Sequence, residues 1–157
     1  YMETPPEKKG EKQQHNQRTM QQMKQLLDEG GHCIYVAPSG GRDRKDTAGV
    51  VTVADFCPQS IAMFRLVARQ AASTTHFYPL ACDTYNVLPP PDSIRYALGE
   101  PRTVSYAPVG FAFGDEVDFA AIEKDATGDR ATQRKAVAEE IQAAVDDCYQ
   151  QLIQRRK

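Results

Sequence analysis

Apolar residues along the chain follow two patterns, one with helical spacing and one in short continuous runs. Spacings of three and four residues predict helices, and a continuous apolar run flanked by turn residues predicts a buried strand. Asn16 is suited to cap the first helix, Pro58 to open the second, and Gly30 or Gly31 to end the first in a left-handed conformation. The predicted helices cover residues 16–29, 58–72 and 129–154, with a shorter one in "DEVDFAAIEK".

Four apolar runs predict strands. "HCIYVAP" and "THFYPLACDTY" have the β-branched and aromatic bias of strands buried on both faces, and "RTVSYAP" and "GFAFG" predict shorter strands. The resulting order of helices and strands predicts an α/β fold with a mixed, mainly parallel sheet flanked by helices. Residues 1–15 are rich in Pro, Lys and Gln and are expected to form an extended polar lead-in. Residues 16–157 then form the folded domain.

Composition narrows the classes of ligand. Nineteen basic and 21 acidic residues give a net charge of −2, so total charge does not attract nucleic acid and any anion site must be local. The four cysteines are widely spaced and lie near apolar segments, which predicts buried free thiols in a reducing compartment. No cluster has zinc-ligand spacing, and we predict no metal site. No apolar run reaches the roughly 18 residues that cross a bilayer.

The segment "PSGGRDR" is the strongest candidate for chemistry. Gly40 and Gly41 allow a tight turn and a close approach of the backbone to a ligand. In an extended segment the side chains of Arg42 and Arg44 point the same way, and two guanidinium groups match the charge and geometry of a phosphate. Asp43 then points to the other side, where it can tie the loop down. The alternative is a solvated turn whose arginines pair with nearby acids.

Known nucleotide and nucleophile motifs do not account for this loop. The chain contains no GxxxxGK[ST], no GxGxxG and no GxSxG. In open α/β sheets, ligands bind beyond the carboxyl ends of strands, and the loop follows the predicted strand "HCIYVAP" at that end. The residues alone leave two interpretations of the loop open, a phosphate-binding site and a solvated turn.

The strings "IYVAPSGGRDR", "HFYPLACDTYNVLPPP" and "ALGEPRTVSY" carry a family resemblance. The chain resembles the soluble glycerol-3-phosphate 1-acyltransferases of the plastid and chlamydial type, from near Glu3 to the final helix. The resemblance implies an enzyme of phospholipid synthesis that transfers an acyl group from acyl carrier protein or coenzyme A to the sn-1 hydroxyl of glycerol 3-phosphate. It implies no cofactor beyond the acyl donor, and a location in a bacterial cytoplasm or the plastid stroma.

The same resemblance implies roles for particular residues. Arg42 and Arg44 correspond to residues that bind the substrate phosphate, and Ser39, Gly40 and Gly41 of the same loop are predicted to take part in substrate binding. The glycerolipid acyltransferase-like fold is expected to be incomplete in this chain.

The family's catalytic motif is a His followed by an Asp five positions later, and this chain lacks it. The His acts as general base and the Asp orients it. Because the motif is absent, we predict no catalytic residue in this chain, which resembles the C-terminal part of the catalytic domain. The three histidines are predicted to be structural or exposed. The pairs at this spacing are His15 and Met20, His32 and Ala37, and His76 and Ala81.

Several alternatives stay open. The chain could be a non-catalytic module that binds a phosphate ligand or a partner on the same fold, or part of a lysophosphatidate acyltransferase. Asp83 and Tyr85 follow a predicted strand and could shape a substrate cleft, although capping a turn is favoured. "LPPP" favours a rigid turn over an SH3 ligand. "QRRK" suits a helix terminus, with peripheral membrane contact as the alternative. "RKDTAGVVTVADF" could form a hairpin or a lid.

Overall fold

The computed structural model describes residues 6–41, 43–91 and 103–156. Within these ranges the chain is an α/β protein with four helices and two small antiparallel sheets. It divides into two compact units, Tyr1–Val36 with Ala62–Thr75, and Ala37–Ile61 with His76–Lys157. The elements are α1 (Pro6–Glu29), β1 (Arg44–Lys45), β2 (Val51–Thr52), α2 (Pro58–Gln70), β3 (Leu80–Asp83), β4 (Gly110–Phe113), α3 (Phe119–Asp125) and α4 (Arg130–Arg156).

Helix α1 of the first unit begins earlier than predicted. It starts at Pro6, so the expectation of an extended lead-in is wrong for residues 6–15. The Lys, Glu and Gln residues there are good helix formers, and proline is tolerated in a first helical turn. The C-terminus agrees with the prediction, because Gly30 and Gly31 both have φ near 70°. The amide of Gly30 donates to the carbonyl of Leu27 at 3.3 Å, which closes the last turn.

The carboxyl group of Asp28 fastens α1 to the chain after α2. The amide of Ala72 donates to Asp28 Oδ1 at 2.8 Å, and Ser73 Oγ donates to the Asp28 carbonyl at 3.1 Å. The Lys24 side chain, followed by the Ala72 amide, lowers the pKa of Asp28 because both interactions favour the carboxylate. The charged form of Asp28 therefore stabilises the connection between residues 28 and 72.

We expect this connection to weaken in acid. A carboxyl whose pKa is lowered by folding contributes stability above its unfolded pKa of about 3.9, and that stability is lost as the pH falls through the folded pKa. Hydrogen exchange should therefore show the protection factor of the Ala72 amide falling as the pH is lowered below about 4. In Asp28→Asn the protection factor should not fall with pH. An equal fall in both proteins would contradict the assignment.

The segment "HCIYVAP" does not form the predicted buried strand. Residues 32–38 form no strand, and Tyr35 is 66% exposed. A strand exists only through pairing with a second strand, and an apolar run does not specify that partner. Both strand pairs in the described ranges are antiparallel, so the predicted mainly parallel sheet is not seen there.

Strands β3 and β4 form the sheet that carries the main core of the second unit. They pair with Leu80 opposite Phe113 and Asp83 opposite Gly110. Because side chains alternate between the faces of a strand, Ala81 faces the core and is 2% exposed. The predicted strand in "GFAFG" is thus confirmed as β4, whereas residues 103–108 form no strand and Arg102 lies outside the described residues. The buried core of this sheet consists of Ala81, Val145, Cys148 and Tyr149.

Helices α3 and α4 begin at capping aspartates. Asp118 Oδ1 accepts the amides of Ala120 and Ala121, and Asp129 Oδ1 accepts the amide of Thr132 at 2.8 Å. Such bonds satisfy amides that have no partner within a helix. The predicted helices in 115–124 and 129–154 are therefore confirmed. A second buried cluster of the same unit consists of Ile61, Val137 and Ala138.

The cysteines are free, but their burial differs from the prediction. Cys148 is buried, whereas Cys33 is exposed because the segment around it does not form a buried strand. Burial, with smaller effects of Asp147 and Asp115, raises the pKa of the Cys148 thiol. Among the described helices, none combines the length and apolar character required to cross a membrane.

Candidate substrate-binding loop

The loop that precedes β1 is held by backbone hydrogen bonds. The amide of Gly40 donates to the carbonyl of Ala37 at 3.1 Å, and the amide of Cys57 donates to the carbonyl of Pro38 at 3.2 Å. Gly40 has φ of 64°, a region that favours glycine, so the turn depends on this residue. Ser39 Oγ donates to the carbonyl of Gly41 at 3.4 Å. The glycines thus allow the chain to turn sharply into β1.

Asp43 anchors the loop from the side. Its Oδ1 accepts the amide of Ala54 at 2.8 Å, across 11 residues of chain. This contact confirms the predicted role of Asp43 in tying the loop down. Because Asp43 is directly followed by Arg44, the bond limits the motion of the strand that presents the arginine.

Loss of this anchor should impair the loop. Asp43→Ala leaves the half-buried amide of Ala54 without its acceptor, which typically costs about 1–3 kcal/mol. We expect the free energy of unfolding of the intact protein to fall by about that amount in urea denaturation. Asp43→Asn retains a carbonyl oxygen as acceptor and should lose clearly less stability. Equal losses in the two variants would contradict the anchoring role.

The segment after the loop is a β-hairpin. Arg44 pairs with Thr52 and Lys45 with Val51. The carboxylate of Asp46 stabilises the turn, since its Oδ1 accepts the amides of Ala48 at 2.8 Å and Val50 at 2.9 Å. For the segment "RKDTAGVVTVADF", which was predicted to form a hairpin or a lid, the structure therefore favours the hairpin.

Two long-range contacts hold β1 against the turn that follows β3. Arg44 Nη1 donates to the carbonyl oxygen of Pro91 at 2.6 Å, and Lys45 Nζ lies 5.6 Å from the ring centroid of Tyr85. The second distance is within the range of a cation–π interaction. Reasoning from the sequence missed both contacts because no local pattern connects residues that lie 40 or more positions apart. Arg42 lies outside the described residues, so its predicted alignment with Arg44 stays a prediction.

Charged side chains of both signs lie on β1 and beside it. Arg44 and Lys45 are adjacent cations on β1, while the carboxylates of Asp43 and Asp46 accept backbone amides. Asp83, predicted as a possible cleft residue, is only 4% exposed and belongs to the interior. A basic strand end with a fixed backbone is suited to bind an anion.

The thiol of Cys57 lies at the start of α2. The hydrogen bond from the Ser60 side chain has the largest effect on the pKa of this thiol, and the bond from the Ser60 backbone the next largest. Both lower the pKa because they favour the thiolate.

The histidines occupy structural or exposed positions. His76 Nδ1 lies 2.7 Å from Glu116 Oε1, and His32 Nε2 lies 3.3 Å from Glu29 Oε2. His76 is therefore satisfied by a neighbour as predicted, although it precedes β3 and is not itself in a strand. His15 is exposed on α1. Among residues 6–41, 43–91 and 103–156, no group of three or more His, Cys, Asp and Glu side chains could hold a metal ion.

Curated relatives of this chain are acyltransferases. No protein-family model matches the chain. It is 28% identical over 151 residues to the chloroplastic glycerol-3-phosphate acyltransferase of Arabidopsis thaliana, a match that covers 96% of this chain and 33% of the relative. It is 35% identical over 118 residues to the chloroplastic glycerol-3-phosphate acyltransferase ATS11 of Cucurbita moschata, covering 74% of this chain and 26% of the relative. The chloroplastic enzyme of Pisum sativum is 34% identical over 116 residues, covering 73% of this chain and 25% of the relative.

The chain thus spans a quarter to a third of the length of these relatives. Over that segment it is homologous to the chloroplastic glycerol-3-phosphate acyltransferases, which confirms the resemblance recognised from the sequence motifs. The relatives' names place those proteins in the chloroplast, which is difficult to reconcile with the predicted alternative of a bacterial cytoplasm.

Proposed function

We propose that the intact protein transfers an acyl group from acyl carrier protein or coenzyme A to the sn-1 hydroxyl of glycerol 3-phosphate. In this proposal Arg42 and Arg44 bind the substrate phosphate, and the loop residues Ser39, Gly40 and Gly41 allow the substrate to approach the backbone. The observation that carries the proposal is the placement of Arg44 on a strand anchored directly after a glycine turn. Homology to named glycerol-3-phosphate acyltransferases supplies the substrate class.

Arg44 is suited to orient a bound phosphate. A guanidinium group presents N–H donors in a fixed plane and can form two parallel bonds to a phosphate. Holding the phosphate in this way fixes the position of the glycerol hydroxyl that reacts, and such positioning lowers the entropic part of the barrier. Asp43 and the Pro91 carbonyl restrict the strand before any substrate binds. Less ordering entropy is then lost on binding.

The chemical step requires groups outside this chain. A general base takes the proton of the sn-1 hydroxyl, the oxygen attacks the thioester carbonyl, and the carbon–sulfur bond breaks to release the thiol. This chain has no His with an Asp five positions later, so the base is supplied by another part of the intact protein. The chloroplastic relatives favour the plastid stroma as its location. The choice of acyl donor and peripheral membrane contact remain predictions.

Acyl-transfer assays test the proposal. The intact protein, given an acyl thioester, should acylate glycerol 3-phosphate in preference to lysophosphatidate. A polypeptide of residues 1–157 alone should give no turnover, because it lacks the general base. A preference for lysophosphatidate, or inactivity of an intact protein that contains the His and Asp pair, would contradict the proposed reaction. Measurable turnover by residues 1–157 would contradict the absence of a catalytic group.

A further inference from the structure

The turn that follows β3 is well placed to control the conformation of β1. It begins at Thr84, whose carbonyl accepts the amide of Val87 at 3.0 Å, and continues into the proline run at residues 89–91. The amide of Ser105 donates to the carbonyl of Val87 at 2.9 Å, which fixes the turn from a second segment. Proline restricts the backbone to φ near −65°, so the prolines add stiffness where the hydrogen bonds end. The backbone that leads to the Pro91 carbonyl is therefore restricted by hydrogen bonds and by proline rings.

The contact between this carbonyl and Arg44 restricts the guanidinium group. Arg44 Nη1 donates to Pro91 O at 2.6 Å, and the arginine side chain is only partly exposed. An arginine in solution samples many rotamers, and each immobilised side chain of this kind lowers affinity when a ligand must order it. The bond to the Pro91 carbonyl therefore limits the directions in which this guanidinium group can point.

Tyr85 restrains the next residue of the same strand. Lys45 Nζ lies 5.6 Å from the centroid of its ring, within the range of a cation–π interaction. The same turn therefore contacts both residues of β1, one through a backbone carbonyl and one through an aromatic ring. Two contacts from one turn fix the position and the rotation of a strand more strongly than either contact alone.

We propose that the turn Thr84–Pro91 is a positioning element for the substrate phosphate, acting through Arg44. The Pro91 carbonyl orients the guanidinium before substrate binds, and Tyr85 holds β1 in place through Lys45. This inference rests on the proposed function, since it assigns Arg44 to the phosphate of glycerol 3-phosphate. It gives the "LPPP" run a role in substrate affinity in addition to its role as a rigid turn.

The test is a double-mutant cycle in the intact enzyme. Pro91→Gly keeps the carbonyl but removes the restriction on its backbone. We expect the KM for glycerol 3-phosphate to rise about three- to tenfold, with kcat and the KM for the acyl donor unchanged. In an Arg44→Ala background the same substitution should change the KM for glycerol 3-phosphate less than about twofold, because the group through which it acts is absent. An equal factor in both backgrounds would overturn the proposal.

A second pair of variants keeps the proposal testable if Pro91→Gly disrupts folding. Tyr85→Leu removes the aromatic ring under Lys45, whereas Tyr85→Phe retains it. We expect Tyr85→Leu to raise the KM for glycerol 3-phosphate and Tyr85→Phe to restore a value near that of the native enzyme. If both variants have the same KM, the ring does not position β1 and the proposal is wrong.

The outcomes separate this inference from the proposed function. If Arg44→Ala raises the KM for glycerol 3-phosphate but neither Pro91→Gly nor Tyr85→Leu does, the phosphate assignment stands and the positioning role is wrong. If Arg44→Ala leaves that KM unchanged, the phosphate assignment is itself wrong and the positioning role is overturned with it.

Discussion

Replacing Arg44 with Glu in the intact protein should raise the KM for glycerol 3-phosphate about 100-fold. A hydrogen bond between charged partners contributes about 1.5–3 kcal/mol, and each 1.4 kcal/mol corresponds to about a factor of ten in affinity. The substitution also places a carboxylate near the substrate phosphate and adds repulsion. Steady-state kinetics at saturating acyl donor measure the effect. Arg42→Glu should change the KM in the same direction.

The control for this substitution is Arg134→Glu. Arg134 is exposed on α4 and lies outside the loop, so the same change of charge there should alter the KM for glycerol 3-phosphate less than about twofold. The KM for the acyl donor should stay the same in all these variants. If Arg44→Glu changed only the KM for the acyl donor, the loop would bind the thioester substrate and the phosphate assignment would be wrong.

Replacing Tyr149 with Ala should be the most destabilising single change in the described core. Tyr149 is 5% exposed and packs with Ala81, Val145 and Cys148 between α4 and β3. Removal of a buried aromatic ring costs about 3–5 kcal/mol, because apolar contacts are lost and a cavity remains. Urea denaturation should show the unfolding midpoint shifted to lower concentration.

Tyr149→Phe is the matched control for this cavity. It retains the ring and its packing, so most of the stability should be preserved. If the Phe variant lost as much stability as the Ala variant, the hydroxyl group and not the packing of the ring would account for the effect.

The helices could be predicted from the sequence because apolar spacing and capping residues, which specify a helix, lie within the helix or next to it. The apolar spacing within 58–72 and 129–154, together with Pro58 and the glycines after α1, specified elements that the structure confirms. The start of α1 was missed because a polar segment with good helix formers gives no apolar periodicity.

The strands could be predicted only in part, because a strand depends on a partner elsewhere in the chain. β4 was found from "GFAFG", and β3 lies inside the longer predicted run 75–85. The run at 32–38 has the composition of a buried strand but forms none, because composition does not show whether a partner strand lies beside it.

In the candidate site, too, a local feature could be predicted from the sequence and a contact between distant residues could not. The alternation of side chains in "RDR" predicted that Asp43 anchors the loop, and its bond to Ala54 confirms this. The contact between Arg44 and Pro91 spans 47 residues and could be found only in three dimensions.

Calorimetric titration of the intact protein with glycerol 3-phosphate tests the central claim most directly, because it measures binding without the chemical step. We expect the native protein and Arg134→Glu to bind with the same affinity, and Arg44→Glu to show binding weakened about 100-fold. Equal affinities for Arg44→Glu and the native protein would contradict the claim that this loop holds the substrate phosphate.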